Sequence, residues 1–206
     1  MWIRSDDFAD DGPIPERNAF GRPDPETHVT FSSNLNPHLT WGDVPDGTRS
    51  FVLTMIDIDV PSRGDDVNQD GRTVPADLER VDFTHWLLAD IPGDVREIAS
   101  GHYSTRVSPR GKPGLTGRPV EGVNDYTGWF ADDAEMAGTY MGYDGPCPPW
   151  NDSIVHRYVF TLSALDIGTT GLAGPFTASD VSEATEGHVL AAASITGTHT
   201  LNPDLG

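Results

Sequence analysis

The sequence predicts a mostly β protein, an antiparallel β-sandwich with a few peripheral helices, one of them near the C-terminus. Short apolar runs, rich in β-branched and aromatic residues, recur between turn residues. The 22 glycines and 17 prolines are spread along all 206 residues, which suits a loop-rich β protein. Neither a linker nor an internal repeat is evident, so residues 1–206 are predicted to form a single domain.

The strands are predicted from apolar runs bounded by turn residues. The predicted strands cover residues 28–31, 50–56, 83–89, 157–165 and 192–201. Between them, residues 8–26 are rich in turn signals, residues 34–41 lack periodicity, and residues 63–80 form a polar insertion. Residues 100–128 hold six glycines and are predicted to be a long surface excursion. Loops of such length in a compact domain are often functional.

One segment, residues 177–190, has the pattern of an α-helix. Thr177 or Ser179 is suited to cap its N-terminus, because a hydroxyl can accept a hydrogen bond from the first free N–H groups. An apolar stripe is expected along Val181, Ala184, His188 and Ala191. A run of strands with one late helix favours a mostly antiparallel sheet structure.

The charge balance is strongly acidic. Asp and Glu total 32 against 13 Lys and Arg, for a net charge of −19; Asp outnumbers Glu 24 to 8, and Lys112 is the sole lysine. Such a surface disfavours nucleic acid and anionic membranes. It is typical either of an acidic protein from a GC-rich genome or of a halophilic protein adapted to high salt. We favour the second, and therefore expect the melting temperature to rise from low to molar KCl, where self-repulsion is screened.

The N-terminal residues and the cysteine count suggest a compartment. The first seven residues are acidic and lack an apolar secretory core, and no run approaches the ~18 apolar residues of a membrane span. We therefore expect a cytoplasmic protein with no stable membrane insertion. A single cysteine, Cys147, excludes an internal disulfide and a cysteine-based zinc cage.

A rigid loop before the strand at 157–165 is the most informative motif. Gly145, Cys147, Pro148 and Pro149 belong to a Gly-Pro-Cys-Pro-Pro run, which is stiff because proline fixes φ and lacks an N–H group. Shortly after it, His156 and Tyr158 are two positions apart, so on a strand their side chains share a face. The loop and the two side chains would form a small concavity equipped to hold an anion.

Polar residues also lie directly after one apolar run and inside another. Asp57 and Asp59 follow the strand at 50–56, where carboxylates are costly unless solvated or hydrogen-bonded, although they could simply form a turn. His85 lies within the apolar run at 83–89, where a histidine is either a hydrogen-bonded core residue or a ligand-binding one.

Together these segments resemble the phosphatidylethanolamine-binding protein family, which includes the Raf kinase inhibitor proteins, and in particular its prokaryotic branch. The similar motifs are Asp57-Ile58-Asp59-Val60-Pro61-Ser62, Thr84-His85-Trp86-Leu87-Leu88 and Cys147-Pro148-Pro149 through His156-Arg157-Tyr158. Further similar stretches are Asn34 to Trp41, Asn124-Asp125-Tyr126 and His188 to Ala191, so the resemblance covers nearly the whole chain. One departure is Ile58, where the family pattern usually has proline.

The resemblance implies a fold and a pocket. The implied fold is a central β structure with peripheral helices, and Asp57, His85, His156 and Tyr158 are implied to surround one pocket. Its expected ligand is phosphate or a phosphoethanolamine-like head group, held by His85, Tyr158 and N–H groups of residues 145–149. Asp57 would orient a histidine or, alternatively, receive the ammonium of an ethanolamine head group. Arg157, on the opposite face, would form a structural ion pair. Regulation of a kinase or protease, and a homodimer, are also implied.

An enzyme is the alternative hypothesis, a hydrolase that uses Asp57, His85 and His156. No nucleophile-elbow, Walker or dinucleotide motif appears, so we expect a binding protein without catalysis or cofactor. Cys147 has no lysine or arginine close by in sequence, and we expect a packed, inert thiol.

Residues 66–77 match the spacing of a calcium-binding loop. Asp66, Asn68, Asp70 and Asp77 would occupy ligand positions. Against a calcium site, Pro75 lies inside the loop, its last position is Asp rather than Glu, and no flanking helices are evident. We expect a solvated insertion that does not bind calcium tightly.

Overall fold

The structure, a computed structural model, describes residues 1–205. The strands are β1 (Trp2–Arg4), β2 (Gly12–Pro13), β3 (Gly21–Asp24), β4 (His28–Phe31), β5 (Leu39–Gly42), β6 (Ser50–Pro61), β7 (Arg80–Pro92), β8 (Glu97–Ile98), β9 (Val120–Glu121), β10 (His156–Leu165) and β11 (Val189–His199). The helices are α1 (Tyr126–Trp129) and α2 (Ala178–Thr185), with a 3-10 turn at Glu16–Asn18. The predicted mostly β fold with few helices is confirmed.

Two sheets enclose the main core. The larger sheet has the order β2-β11-β10-β6-β7-β9, antiparallel except where β2 joins β11, and the smaller has the order β1-β5-β8. The core contains side chains from both sheets, such as Trp41 of β5, Leu53 of β6 and Phe160 of β10. β3 and β4 form a separate antiparallel pair.

The central strands follow from their side-chain patterns. Along β10, alternate residues from His156 to Ala164 are buried while those between them are more exposed, the period of two expected of a strand with one covered face. In β7, by contrast, every residue from Thr84 to Ile91 is buried, because apolar clusters cover both faces of the strand. The second cluster includes Val181 of α2.

The predicted helix is present but shorter than expected. Thr177 caps it: its hydroxyl accepts a hydrogen bond from the Asp180 N–H, and the Asp180 carboxylate accepts one from the Thr177 N–H. The helix ends at Thr185 rather than at residue 190, because Gly187 has φ of +76°, outside the helical region. His188 therefore lies beyond the helix, and Ala191 belongs to β11, which begins before the predicted strand at 192–201.

Three other boundaries differ from the prediction. Residues 34–41, expected to be irregular, contain most of β5. β6 continues to Pro61, so Asp57 and Asp59 lie inside a strand and not in a turn after it; pairing with β10 and β7 extends the strand. The excursion at 100–128 is exposed or half-buried over nearly all of residues 101–120, as predicted, but its last part contains β9 and most of α1 and buries Glu121 and Asn124.

Neither of the two helices in residues 1–205 is long and apolar enough to cross a membrane.

Candidate ligand-binding site

A cavity of about 430 Å³ brings together several of the residues that the sequence singled out. One end, which we call the polar end, is formed by Asp57, His85 and His156. They come from β6, β7 and β10, which are neighbours in the order β10-β6-β7. Cys147, Pro148 and Pro149 form part of the wall, as the rigid-loop motif predicts. A cavity in which polar groups converge from separate strands is typical of a small-molecule site.

The remaining predicted site residues lie outside this wall. Tyr158 is completely buried in the main core, with its ring edge-on to His85 at a centroid distance of 5.2 Å, and its hydroxyl has no hydrogen-bond partner within residues 1–205. Gly145 donates its N–H to Asn34 Oδ1 at 2.8 Å, so this group is not free for a ligand. Because residues 146, 148 and 149 are prolines, Cys147 has the only other N–H of the predicted donor loop.

Asp59 forms an ion pair on the other side of β10. Arg157 donates from Nε and Nη2 to the two carboxylate oxygens of Asp59 at 2.9 and 2.8 Å. Burial acts to raise the pKa of Asp59, but the Arg157 hydrogen bonds outweigh it and the pKa is lowered. The prediction of a structural ion pair at Arg157 is confirmed.

His156 is held at both ring nitrogens. Nδ1 lies 2.8 Å from Asp57 Oδ2, and Nε2 lies 3.1 Å from Asp152 Oδ2, so the predicted hydrogen bond between Asp57 and a histidine is present. Complete burial acts to lower the pKa of His156, but the hydrogen bonds to Asp152 and Asp57 raise it to about 9. At neutral pH the ring is therefore protonated, and both N–H groups donate to carboxylates.

Arg80 completes this charged cluster. Its Nη1 and Nη2 donate to the two oxygens of Asp152 at 2.6 and 3.1 Å, in a bidentate pair. Burial opposes ionisation of Asp152, but His156 and Arg80 lower its pKa overall. We call Asp57, His156, Asp152 and Arg80 the charged cluster; with two carboxylates and two cations it is neutral as a whole.

His85 has a different environment. Its Nδ1 lies 2.7 Å from the carbonyl oxygen of Asp144. Because a carbonyl can only accept, Nδ1 carries the hydrogen, and Nε2 of the neutral ring has a free lone pair. Burial lowers the pKa of His85, more than the negative charge of Asp57 and the carbonyl raise it. At neutral pH, then, His85 offers a hydrogen-bond acceptor to the cavity.

A buried polar scaffold fixes the carbonyl that His85 uses. The Asp144 carboxylate accepts from Asn34 Nδ2 at 2.7 Å and from Asn124 Nδ2 at 2.8 Å. Lys112 Nζ lies 3.3 Å from Asp144 Oδ1 and donates to the Tyr143 carbonyl. The sequence did not predict Asp144 or Lys112 at the site: Asp144 only adjoins the rigid-loop motif, and Lys112 stood out only as the sole lysine.

The environment of the Cys147 thiol, in the cavity wall, makes it unreactive. Burial raises the pKa of Cys147 to about 12, so the thiolate, which is the nucleophilic form, is not populated at neutral pH. This agrees with the expectation of a packed, inert thiol. In the same loop, a side chain at position 145 would collide with the Asn18 carbonyl, which explains the glycine there.

Beside aliphatic residues such as Val29, Val60 and Val67, the remaining wall contains six aromatic side chains, which no sequence motif had indicated. We call this set the aromatic wall: Phe20, Phe31, Phe83, Tyr126, Trp129 and Phe130. Its members come from four separate parts of the chain, so no local pattern in the sequence could group them. Asn68 of the polar insertion also lines the cavity.

The residues of the calcium-like pattern make separate contacts. Asp66 Oδ1 accepts from Arg72 at 2.7 Å, Asp70 Oδ1 lies 3.1 Å from His28 Nε2, and Asn68 Oδ1 accepts from the Trp150 N–H. Asp77 is exposed. No cluster of three or more candidate metal-binding side chains occurs among the described residues.

Comparisons with known proteins agree on one family. The family model described as phosphatidylethanolamine-binding protein matches residues 4–200. The UPF0098 protein YbhB of Escherichia coli is 31% identical over 95% of this chain and 98% of its own length. A UPF0098 protein of Methanothermobacter thermautotrophicus is 32% identical over 96% of this chain and 97% of its own.

Solved structures show the same fold. A phosphatidylethanolamine-binding protein homologue of Chlamydia trachomatis aligns with a TM-score of 0.64 and 25% identity, covering 96% of this chain and 95% of that one. YbcL of Escherichia coli aligns with a TM-score of 0.62 at 21% identity, covering 97% of both chains.

Proposed function

This chain belongs to the phosphatidylethanolamine-binding protein family, and we propose that it is a non-catalytic binding protein for small phosphorylated ligands. The observation that carries the proposal is the convergence of Asp57, His85 and His156 from three adjacent strands at the polar end of one cavity. A phosphate group fits this end because it has both donor and acceptor oxygens when one of them is protonated.

The charge states at the polar end support a monoanionic phosphate. The free lone pair of His85 Nε2 would accept a hydrogen bond from a P–OH group, since Nδ1 donates to the Asp144 carbonyl. The proton held by His156 balances the negative charge of Asp57, so this carboxylate repels an incoming anion less than an isolated one would. Protonation of His85 upon binding would add a charge-assisted hydrogen bond.

Two features favour binding over hydrolysis. Cys147 is protonated at neutral pH, so it is a poor nucleophile. His156 is protonated and engaged at both nitrogens, so it cannot accept a proton as a general base. The hydrolase alternative would have to depend on His85.

The proposal can be tested by NMR shift titration of the full chain with phosphoethanolamine and inorganic phosphate. We expect weak binding, with shifts centred on Asp57, His85 and Cys147. His85→Ala should weaken binding about tenfold or more, since a hydrogen bond to a charged group contributes about 1.5–3 kcal/mol. His188→Ala, a change outside the cavity, should bind as the wild type does.

Two results would contradict the proposal. Shifts that map away from the polar end, or unchanged affinity in His85→Ala, would return His85 to the role of a core residue. Release of inorganic phosphate from phosphoethanolamine, followed by phosphorus NMR and lost in His85→Ala, would favour the hydrolase.

A further inference from the structure

One side of β11 is open along part of its length. β10 pairs with β11 almost from end to end, but on the other side β2 pairs with just two residues near its C-terminal end. Next to them, the Thr196 carbonyl accepts from the Asp11 N–H at 2.8 Å, and the Thr196 N–H donates to Asp10 Oδ1 at 2.9 Å. From residue 189 to 195, no backbone group among the described residues pairs with this side of the strand.

The alternation of the backbone shows which groups of β11 are unpaired. In an antiparallel sheet, successive residues of a strand direct their N–H and C=O groups to opposite neighbours. Because Thr196 directs both groups away from β10, Ser194 and Ala192 do the same. Both residues are exposed, and the register with β10 is regular at their positions. Their N–H donors and carbonyl acceptors therefore face solvent.

The two sides of the larger sheet differ in how they are protected. An open edge is a template for another strand, and proteins usually block it with short strands, charged side chains or proline. β9, at one side, has only two residues and follows Arg118 and Pro119. β11 has eleven residues and contains neither a proline nor an Asp, Glu, Lys or Arg. The open part of β11 therefore lacks the features that prevent strand addition.

Charges at the two ends of the open part indicate which partner fits it. Asp10 and Asp11, which form the hydrogen bonds with Thr196 at one end, are both exposed. The exposed Glu183 and Glu186 precede the strand at its other end. A second copy of this chain would bring the same carboxylates and another net charge of −19, which repels. A strand with basic residues at its ends is complementary in charge.

From these observations we propose that the open part of β11 binds an extended basic segment of a partner protein, which adds to the larger sheet as a further strand. Backbone hydrogen bonds to Ala192 and Ser194 hold the segment, as they do where peptides add to other sheet edges. Val189 and Leu190, 47% and 43% exposed, provide apolar contacts for its side chains. No residue of β11 lines the cavity, so the inference is independent of the proposed function.

Fluorescence anisotropy with the labelled peptide Lys-Arg-Val-Thr-Val-Thr-Val-Arg-Lys tests the proposal on the full chain, in about 0.1 M KCl. Methylation of the central backbone nitrogens of the peptide should weaken binding about tenfold or more, because these nitrogens can no longer donate. Replacement of its basic residues by glutamate should weaken binding by about the same factor. His85→Ala should bind the peptide as the wild type does, because the cavity is not involved.

Variants and amide exchange locate the peptide on the protein. Ala192→Pro removes an outward N–H, which an edge strand tolerates, and should weaken binding about fivefold or more. Ala192→Lys should weaken binding through like charge, whereas Ala76→Lys, the same change at an exposed position of the polar insertion, should not. On peptide binding, amide exchange followed by NMR should slow at Ala192 and Ser194 and change little at Ala193, whose N–H already faces β10.

Several results would overturn the proposal. Failure of the peptide to bind, equal affinity in a folded Ala192→Pro, or exchange protection that maps elsewhere would exclude the open part of β11 as the binding surface. Equal affinity for the glutamate peptide would exclude a basic partner. Slow exchange at Ala192 and Ser194 that appears without peptide and increases with protein concentration would make a second copy of the chain the occupant.

Discussion

His156 and His85 lie at the same end of one cavity, but their surroundings make His156 positively charged and leave His85 neutral at neutral pH. Two carboxylates hold His156, and its pKa rises to about 9. A peptide carbonyl holds His85 at one nitrogen, and burial lowers its pKa. Identical side chains on strands separated only by β6 thus differ because their hydrogen-bond partners differ in charge.

The comparison gives the two histidines different roles: His156 stabilises the fold, and His85 is available to bind a ligand. Every polar hydrogen of the His156 ring is used inside the protein, so its charge stabilises the charged cluster. The His85 ring has one nitrogen without a hydrogen-bond partner in the described residues 1–205, so it can respond to a ligand. The predictions below test this division, from the largest expected effect to the smallest.

Breaking the charged cluster should have the largest effect. Asp152→Asn keeps the shape of the side chain but removes a buried charge that pairs with Arg80 and His156. We expect the free energy of unfolding to fall by about 3–5 kcal/mol, because removal of one partner leaves buried charge uncompensated. Urea denaturation would measure the change.

An exposed aspartate–histidine pair provides the matched control. His188 Nδ1 lies 2.8 Å from Asp166 Oδ1, a distance like that between His156 and Asp57, but both side chains are over two-fifths exposed. Asp166→Asn should cost less than about 1 kcal/mol, because solvent screens such pairs. Equal losses in the two variants would show that burial does not distinguish them.

The pH dependence of stability should come mainly from His156 above neutral pH. Its pKa is near 6.5 in the unfolded chain and about 9 in the folded protein. Its stabilising contribution is therefore complete below about pH 6.5 and is lost as the pH rises through 9. A pKa shift of this size corresponds to a contribution of about 3 kcal/mol to the free energy of unfolding.

NMR titration of the ring protons would test the assignment of each histidine. The His156 signals should titrate near pH 9, whereas those of His85 should titrate below 6.5. If both histidines titrate near 6.5, the contrast between their surroundings has no effect on charge, and the division into structural and available histidines fails.

Ligand binding should depend on pH through His85. As the pH falls, a phosphate monoester, whose second pKa is near 6, gains a proton, and His85, whose pKa burial lowers below its usual value, also gains one. We expect affinity for phosphoethanolamine to rise by up to roughly tenfold per pH unit for each proton taken up. His85→Gln should retain only the part of this dependence that the ligand's own proton causes; an unchanged dependence would exclude His85.

Removal of the Tyr158 hydroxyl should have the smallest effect. This group is buried and makes no hydrogen bond of good geometry within residues 1–205; burial and the nearby Asp57 carboxylate raise the pKa of Tyr158, and this carboxylate compensates the desolvation only in part. Tyr158→Phe should raise the free energy of unfolding by about 1 kcal/mol and leave ligand affinity unchanged. Weaker binding in this variant would place the hydroxyl at the ligand, as the sequence predicts.

The salt dependence expected from the composition concerns charges outside this cluster. Exposed carboxylates repel one another over distances that salt screens, whereas the charged cluster is buried and paired. The melting temperature should therefore rise from low to molar KCl in wild type and in Asp152→Asn alike. A melting temperature that is flat or falls with salt would contradict adaptation to high salt.

The local sequence was sufficient to predict the main strands and the first residues of α2. The apolar run from Arg157 to Leu165 predicted β10, because a short run rich in aromatic and β-branched residues after a turn-rich loop favours a strand. Thr177 predicted the start of the helix, because its hydroxyl accepts a hydrogen bond from the N–H group of Asp180, only three residues later in the chain. The apolar spacing of His188 and Ala191 predicts a longer helix than the one that forms, because the positive φ of Gly187 ends the helical conformation before them.

The alternation of side chains along a strand could not predict that Asp57 and Asp59 bind different partners. Two positions apart on a regular strand, they should share a face, and the sequence predicts both at the site. In the structure Asp57 meets His156 while Asp59 meets Arg157, two residues that point to opposite sides of β10. The β6–β7 pairing shifts register between Asp57 and Val60, which interrupts the alternation there.

The sequence by itself determined which chemical groups are present and on which strands they lie. Only the tertiary structure decided which of them remain available, because hydrogen-bond partners such as Asp152 for His156 and the Asp144 carbonyl for His85 come from other segments. It likewise assembled the aromatic wall from side chains far apart in the chain. The physical reason is that charge state and access depend on burial and on long-range partners, which no local pattern encodes.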